Sequence, residues 1–236
     1  TMTTKFLIPF FKDPICLKPA GETIQFWLPP QLLPDPLFTF PASWAFLAVG
    51  LIFLANILLV TFFSNAVNLT DGKDGLAAGC TIFCVLSFAA VAYVHGHTVF
   101  AKYLSVPYIP ELGEISVFAS AMAGACIGFL WYNCKPAAVF MGDTGSLPLG
   151  GSIGLIAVLM GQQFLLIVIG FVFLMEGVSV MIQVASFRLT GRRVFLCTPI
   201  HHHFEQKGWS ETQIVIRFWI IAGICALIGL ATLKLR

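Results

Sequence analysis

Residues 44–63 read WAFLAVGLIFLANILLVTFF, twenty residues without one charged side chain. A helix needs about 20 apolar residues to cross the ~30 Å hydrocarbon core of a membrane. The whole 236-residue chain has this character, because 58% of its residues are hydrophobic and only 10% are charged. Since soluble domains carry about 25% charged residues, the composition excludes a soluble globular protein. A net charge of +2 is too small to indicate nucleic-acid binding.

Five further apolar stretches follow, and together the six predict an all-α, polytopic transmembrane helix bundle. Membrane barrel strands would alternate apolar and polar residues, and these stretches do not. The fourth is short and glycine-rich, and the fifth carries Glu176 and Gln183, so we expect the fifth to be tilted, kinked or partly outside the lipid. The predicted spans are 44–63, 76–94, 115–131, 147–160, 164–187 and 214–233.

Pairs of glycines four residues apart recur in these spans. Such spacing predicts close approach of two membrane helices, because glycine carries no side chain to hold them apart. The pairs are Gly75 with Gly79, Gly124 with Gly128, and Gly150 with Gly154.

Residues 1–43 differ from the rest, since eight of the 13 prolines lie there. Short apolar pieces at 6–11 and 23–28 predict strands of a small hairpin or interfacial loop. We therefore divide the chain into this Pro-rich segment and a six-span part, residues 44–236. The start lacks a signal-peptide pattern and Thr1 is no initiator, so we expect a C-terminal part of a longer protein.

Three polar segments, at 64–75, 133–146 and 188–213, are separated by even numbers of predicted crossings, so they share one membrane face. Residues 1–43 and 95–114 share the other face. Lysine and arginine totals on the two faces nearly tie, but four of these residues crowd into one loop, including Arg192 and Arg193. The positive-inside rule then places the three segments in the cytoplasm and residues 1–43 in the periplasm.

The first polar segment carries Asp71 and Asp74, each followed by glycine, with Asn68 just before them. Glycine lets a backbone turn sharply and approach a ligand. The two carboxylates suit a divalent cation, or hydrogen bonds from a sugar or base. A helix end with a capping aspartate would explain the same residues.

The second segment contains Asn133, Phe140 and Asp143, the last within a Gly-Asp-Thr-Gly-Ser run that opens the fourth span. Helix N-termini attract phosphate, but Asp143 would repel bare phosphate unless Mg²⁺ bridges the two. Phe140 is placed to stack on a flat ring. A capping residue and an interfacial anchor are the simpler alternatives.

The third segment has three successive histidines, His201, His202 and His203. Adjacent side chains point in different directions, whereas zinc ligands are usually spaced by two to five residues. We favour contacts to phosphate or sugar over a zinc site or a solvated loop. Glu176, inside the fifth span, is either a functional group or a buried, hydrogen-bonded carboxyl.

Three stretches together resemble one family. NLTDGKDGLA at 68–77, FMGDTGS at 140–146 and PIHHHFEQKGW at 199–209 are similar to motifs of the polyprenyl-phosphate N-acetylhexosamine-1-phosphate transferases. The triple histidine with the following Gly-Trp resembles the branch that transfers phospho-N-acetylmuramoyl-pentapeptide. This branch acts in peptidoglycan synthesis, on which cell shape and division depend.

The resemblance implies a reaction between UDP-MurNAc-pentapeptide and undecaprenyl phosphate that gives lipid I and UMP, with Mg²⁺ as cofactor. It implies a multi-pass protein of the bacterial inner membrane with the active site facing the cytoplasm; a homodimer is one option for its assembly. Asp143 would be the Mg²⁺ ligand. The remaining catalytic positions would be Asp71, His201, His202 and His203, and the substrate-binding ones Asn68, Asp74, Asn133, Phe140 and Gln183.

The chain departs from the family in one respect. The family carries an Asp-Asp pair upstream and ten spans, while this sequence has no Asp-Asp and six predicted spans. We therefore expect this chain alone to be inactive or nearly so. Lys73, where many relatives carry an apolar residue, is a smaller departure. A transferase specific for UDP-GlcNAc and a non-enzymatic carrier of a lipid-linked anion are the alternatives.

Overall fold

A computed structural model describes residues 4–6, 15–20, 23–27, 38–41 and 45–234. These residues form four short strands and nine helices. The strands are β1 (Thr4–Phe6), β2 (Ile15–Ala20), β3 (Thr23–Trp27) and β4 (Phe38–Pro41). The helices are α1 (Ala45–Thr70), α2 (Leu76–Gly96), α3 (Thr98–Leu104), α4 (Leu112–Asn133), α5 (Asp143–Leu159), α6 (Gln163–Ile169), α7 (Phe171–Thr190), α8 (Ile200–Gln206) and α9 (Glu211–Ala231).

The strands form one antiparallel sheet in the order β1-β2-β3-β4. The strand predicted at 23–28 is confirmed as β3, whereas most of the piece predicted at 6–11 lies outside the described residues. β2 was not predicted, because Pro19 disfavours a strand interior. Within the described residues β1 pairs with three residues of β2, up to Leu17, so Pro19 lies beyond that described pairing.

The helices confirm a polytopic transmembrane bundle. Within the described residues five helices are long and apolar enough to cross a membrane, namely α2, α4, α7, α9 and most of α1. The remaining predicted span is α5, whose 17 residues reach roughly 25 Å at 1.5 Å per residue. The expectation of about six spans therefore corresponds to five helices of full length and one shorter helix.

The fifth predicted span is interrupted between α6 and α7, which agrees with a kink, one of the alternatives predicted for it. α6 ends at Ile169, and α7 begins at Phe171. A Cβ at the intervening Gly170 would lie 2.8 Å from both the Leu166 carbonyl oxygen and the Phe63 ring. The break therefore occurs where the backbone packs too closely for any side chain.

Glycine contacts set the spacing of α1 and α5. A Cβ at Gly150 would lie 2.3 Å from the Phe63 carbonyl oxygen, and one at Gly154 would lie 2.9 Å from the Cα of Val60. These contacts confirm the predicted role of this glycine pair. The prediction for Gly124 and Gly128 is wrong, since no described atom comes within 4 Å of a Cβ at either position.

α2 is the central helix, and most of its residues are buried. It packs against α4 on one side and α9 on another. Gly79 accommodates Trp219 of α9, since a Cβ there would lie 2.1 Å from the indole ring. The Trp219 Nε1–H donates to the Gly75 carbonyl oxygen over 3.1 Å, which ties α9 to the turn before α2.

The helix connections collect at two ends of the bundle. The turn at 71–75, the loop at 134–142 and the segment at 191–210 meet at one end, which we call the site end. They are joined there by a Lys73–Glu205 ion pair and an Asp74–Ala137 hydrogen bond. The connections at 97–111 and 160–162 lie at the opposite end, since His95 contacts the Pro107 carbonyl oxygen and Gln162. The prediction that the three polar segments share one face is confirmed.

Candidate functional site

The first wall of the site is the turn after α1. The Asp71 N–H donates to the Asn68 carbonyl oxygen over 3.1 Å, which closes the last turn of the helix. Gly75 then adopts a positive φ of 77°, a conformation that favours glycine, and α2 begins at the next residue. The turn at 71–75 thereby presents Asp71 and Asp74 at the site end.

The second wall is the loop between α4 and α5, and Asn133 fastens it to the first. The Asn133 Oδ1 accepts from the Gly75 N–H over 3.0 Å, and its Nδ2 donates to the Val139 carbonyl oxygen over 2.8 Å. The Asn133 side chain is buried. The side chain predicted to contact a nucleoside is thus engaged by the backbone of both walls.

Asp143 begins α5, directly after Gly142 with its positive φ of 63°. The Asp143 Oδ1 accepts from the Asn68 Nδ2 over 2.7 Å, and the same nitrogen lies 2.9 Å from the Ser146 Oγ. The Ser146 hydroxyl donates to the Gly142 carbonyl oxygen over 3.0 Å. This network joins the end of α1 to the start of α5, so the two predicted carboxylate motifs meet.

Between the two walls lies an open cavity of about 390 Å³. Such a volume is in the range of small-molecule sites, and its walls are mostly polar. Five of the predicted site residues besides Asn133 line it, together with Glu211 and parts of both loops. The lining residues are Asn68, Asp71, Gly72, Lys73, Asp74, Asn133, Phe140, Met141, Gly142, Asp143 and Glu211.

The electrostatics of the cavity are set by two close carboxylates. Burial, the largest cause, and the charge of Asp143 together raise the pKa of Asp71 to about 6. A hydrogen bond from the Gly142 N–H to the Asp71 carboxylate opposes both effects. Like charges in one site disfavour joint ionisation, so a cation placed between Asp71 and Asp143 would relieve the repulsion.

Phe140 projects from the loop into this cavity. Its side chain is 76% exposed, which is costly for a phenyl ring unless a partner covers it. The exposed face of an aromatic ring is a platform for a flat base. The position agrees with the stacking predicted from the sequence.

Two ion pairs across the rim were not predicted from the sequence. Lys73 Nζ lies 2.6 Å from Glu205 Oε1, and Lys135 pairs with Glu211. Hydrogen bonds from Lys73 and His202 lower the pKa of Glu205 to about 2. Glu205 is therefore ionised at neutral pH, and its ion pair with Lys73 connects α8 to the turn at 71–75.

The three histidines point to different partners, as their adjacency predicts. The His202 Nδ1 lies 2.9 Å from Glu205 Oε2, and the His203 Nδ1 accepts from the Leu196 N–H over 3.1 Å. His201 is fully buried beside Glu176. None of the three is among the described residues that line the cavity, although His201 lies against Gly72, which does line it.

Gln183 lies apart from this cavity. Its Oε1 accepts from the Val194 and Phe195 N–H groups over 3.0 and 2.9 Å, and its Nε2 donates to the Phe195 carbonyl oxygen. A separate cavity of about 350 Å³ next to it is lined by residues that include Arg188 and Arg193. The structure therefore does not bring Gln183 together with Phe140 and Asp143.

Within the described part of the chain, no three His, Cys, Asp or Glu side chains converge as a ready metal site. Mg²⁺ is commonly held by one or two carboxylates together with substrate phosphates and water. Asp71 and Asp143, with their mutual repulsion, form a donor set of that kind. The residues present fit such an ion.

A bundle of membrane-length helices with a carboxylate-lined cavity at one end defines a multi-pass membrane protein with a polar site at a helix terminus. The model of the family described as "Glycosyl transferase family 4" matches residues 26–161, more than half of the chain. The chain belongs to this family, in agreement with the resemblance of its motifs.

Three similar proteins carry the name phospho-N-acetylmuramoyl-pentapeptide-transferase. The protein from Methylacidiphilum infernorum (isolate V4) is 55% identical over 180 residues, which are 76% of this chain and 49% of the relative. The protein from Pelagibacter ubique (strain HTCC1062) is 56% identical over 181 residues, 77% of this chain and 50% of the relative. The protein from Koribacter versatilis (strain Ellin345) is 51% identical over 207 residues, 88% and 54% respectively. The chain spans about half the length of these curated relatives.

Proposed function

We propose that this chain supplies the nucleotide-binding and metal-binding half of a phospho-N-acetylmuramoyl-pentapeptide transferase. In the proposed reaction, a phosphate oxygen of undecaprenyl phosphate attacks the β-phosphorus of UDP-MurNAc-pentapeptide. The bond between that phosphorus and the oxygen bridging it to the α-phosphorus breaks. UMP leaves with the electron pair, and lipid I retains the new diphosphate. The observation that carries the proposal is the cavity in which Asp71, Asp74, Phe140 and Asp143 meet.

Asp143 and Asp71 are the residues that would hold Mg²⁺. The Asn68 amide donates to one oxygen of Asp143, and the other oxygen, which accepts no hydrogen bond from a described residue, would bind the cation. When bound, Mg²⁺ supplies neutralisation of the diphosphate and of the charge on the departing UMP. Asn68 is thus a positioning group for the proposed ligand rather than a ligand itself.

The nucleoside would occupy the side of the cavity formed by Phe140 and Asp74. Uracil can stack on the exposed Phe140 ring, and Asp74, whose Oδ2 accepts from the Ala137 N–H over 3.2 Å, braces the loop that carries this ring. Asn133 holds the same loop through the hydrogen bond that its Nδ2 donates to the Val139 carbonyl oxygen. Asn133 and Asp74 would therefore contribute to nucleotide binding chiefly through the shape of this loop.

The orientation proposed for this protein places the site end in the cytoplasm, where UDP-sugars occur. The acceptor would then approach from the inner leaflet of the membrane. The basic residues at 188–193 agree with that orientation under the positive-inside rule. A homodimer stays a prediction, as does the inactivity of residues 1–236 by themselves.

The decisive measurement is UMP release by the full-length protein in detergent with undecaprenyl phosphate. We expect release that requires Mg²⁺, prefers UDP-MurNAc-pentapeptide over UDP-GlcNAc, and falls by about 10²–10³-fold in Asp143→Asn. The matched control is Glu111→Gln, at the opposite end of the bundle. Release without any divalent cation, or an unaffected Asp143→Asn, would refute the proposed metal role. Preference for UDP-GlcNAc would assign the other transferase class, and no release at all would favour a carrier.

A further inference from the structure

Glu176 and His201 form a buried pair inside the bundle. Both side chains are fully buried, and the His201 Nδ1 lies 3.1 Å from Glu176 Oε1. Glu176 belongs to α7 and His201 to α8, so the contact joins a membrane helix to the histidine segment. A carboxyl group in an apolar helix is costly, and neither the proposed metal site nor the nucleotide side explains why one stands there.

The other nitrogen of His201 faces the cavity turn. A Cβ built on Gly72 would lie 2.5 Å from His201 Nε2 and 3.0 Å from Cε1. The imidazole therefore lies directly against the backbone between Asp71 and Lys73. Among the described residues, His201 Nε2 has no hydrogen-bond partner. The ring therefore contacts the turn at 71–75 by van der Waals packing.

The hydrogen bond with Glu176 decides how this ring stands. An ionised carboxylate only accepts hydrogen bonds, so the inference takes Glu176 as the acceptor and places the proton of a neutral His201 on Nδ1. A carboxylate that accepts a hydrogen bond from one ring nitrogen fixes the tautomer of the imidazole and the orientation of the whole ring. Without that acceptor the imidazole could rotate, and Gly72 would lose the ring against which it packs.

We propose that Glu176 is a positioning residue, which acts through His201 to hold the Asp71–Gly72 turn in its place in the cavity. This inference rests on the proposed function, because Asp71 matters only if the cavity performs chemistry. Glu176, in the membrane-spanning helix α7, would thus help to position the site without contacting substrate or metal.

Two substitutions separate positioning from bulk packing. Glu176→Gln keeps an acceptor oxygen, whereas Glu176→Leu keeps the volume and removes the acceptor. Leucine at position 176 leaves the buried His201 Nδ1–H without an acceptor, and removal of one partner of a buried pair lowers stability. We expect Glu176→Leu to lower kcat for UMP release by about 10–100-fold, and Glu176→Gln to stay within about threefold of the unmodified protein. Glu176→Gln should unfold close to the temperature of the unmodified protein and Glu176→Leu at a lower one, so kcat is compared at a temperature where all three proteins are folded.

The matched control is Ser179→Ala, a buried position one turn along the same helix, which should leave kcat unchanged. Normal kcat in Glu176→Leu overturns the inference, and so does an equal loss in the Gln and Leu variants. If the unmodified protein releases no UMP, the proposed function fails instead.

A second measurement does not depend on the folding of any variant at position 176. In protein labelled with ¹⁵N-histidine, the signal missing from His201→Gln identifies His201. The inference requires that signal to show a protonated Nδ1 and an unprotonated Nε2. The opposite tautomer would overturn it, whatever the activity measurements give.

Discussion

The Asn68 amide nitrogen lies 2.7 Å from a carboxylate oxygen of Asp143, although 75 residues separate the two in sequence. The contact joins the last turn of α1 to the first residue of α5. Both residues also line the cavity. One hydrogen bond therefore determines how two motifs, distant in the chain, share a single site.

Removing that hydrogen bond should weaken the proposed metal site. In Asn68→Ala, Asp143 loses the donor that orients it, and we expect kcat for UMP release to fall by about 10–100-fold and the Mg²⁺ concentration for half-maximal rate to rise. The measurement is a Mg²⁺ titration of UMP release. Asn65→Ala is the control, because the hydrogen bond that Asn65 makes within the described part of the chain is to the Thr61 carbonyl oxygen of its own helix. Equal behaviour of the two variants would contradict the prediction.

Asp71 should cost stability when no metal is bound. Its folded-state pKa of about 6 exceeds the ordinary 3.8, so the folded protein binds this proton more tightly than the unfolded chain does. The resulting loss of stability grows as the pH rises from 3.8 through about 6 and is complete at pH 8. Asp71→Asn should raise Tm in EDTA by roughly 2–4 °C at pH 8, and by less at pH 5.

The same comparison repeated with excess Mg²⁺ tests the cause. A bound cation would favour the ionised carboxylate, so the unmodified protein should gain stability with Mg²⁺ and Asp71→Asn should gain less. If the Tm difference between Asp71→Asn and the unmodified protein did not change with pH or with Mg²⁺, the result would argue against repulsion between the two carboxylates.

Phe140 should contribute to binding rather than to turnover. Stacking of a base on an aromatic ring is worth about 1–3 kcal/mol, so Phe140→Ala should raise KM for the UDP-sugar by about 5- to 100-fold with kcat little changed. Trp131→Ala is the control, since this ring is also exposed near the end of α4 but does not line the cavity. A fall in kcat at constant KM would remove Phe140 from nucleotide binding.

Gly79→Ala should displace Trp219. The added methyl group would lie 2.1 Å from the indole, and overpacking of this kind costs about 1–3 kcal/mol. The hydrogen bond from Trp219 to the Gly75 carbonyl oxygen would weaken as the ring moves. Gly128→Ala, with open space at the same kind of position, should leave the thermal unfolding temperature unchanged or higher. Thermal unfolding in detergent distinguishes the two.

The sequence predicted the membrane helices and the meeting of the aspartates for clear physical reasons. A charge-free stretch such as 44–63 has few alternatives to a membrane helix, and an even number of crossings brings the polar segments to one face. The α1–α5 glycine contacts were also predictable from their spacing. The equal spacing of Gly124 and Gly128 was misleading, because spacing does not reveal which side of α4 faces a neighbour.

The partners of individual side chains could not be predicted. The Lys73–Glu205 pair spans 132 residues, and no local pattern marks either member. Asn133 and Gln183 were predicted to bind substrate, yet their amides bond to backbone groups of nearby loops. An amide side chain serves either use equally well, and only the tertiary structure decides between them.

The close contacts of Gly150 with Phe63 and of Gly154 with Val60 bring the backbones of α1 and α5 together over one helical turn. Under the proposed function, a movement that admits the nucleotide is then expected in the backbone between Cys134 and Met141, which carries Phe140, rather than in these two helices. A ligand that immobilises this short loop would, under the same proposal, slow UMP release without contact to the metal.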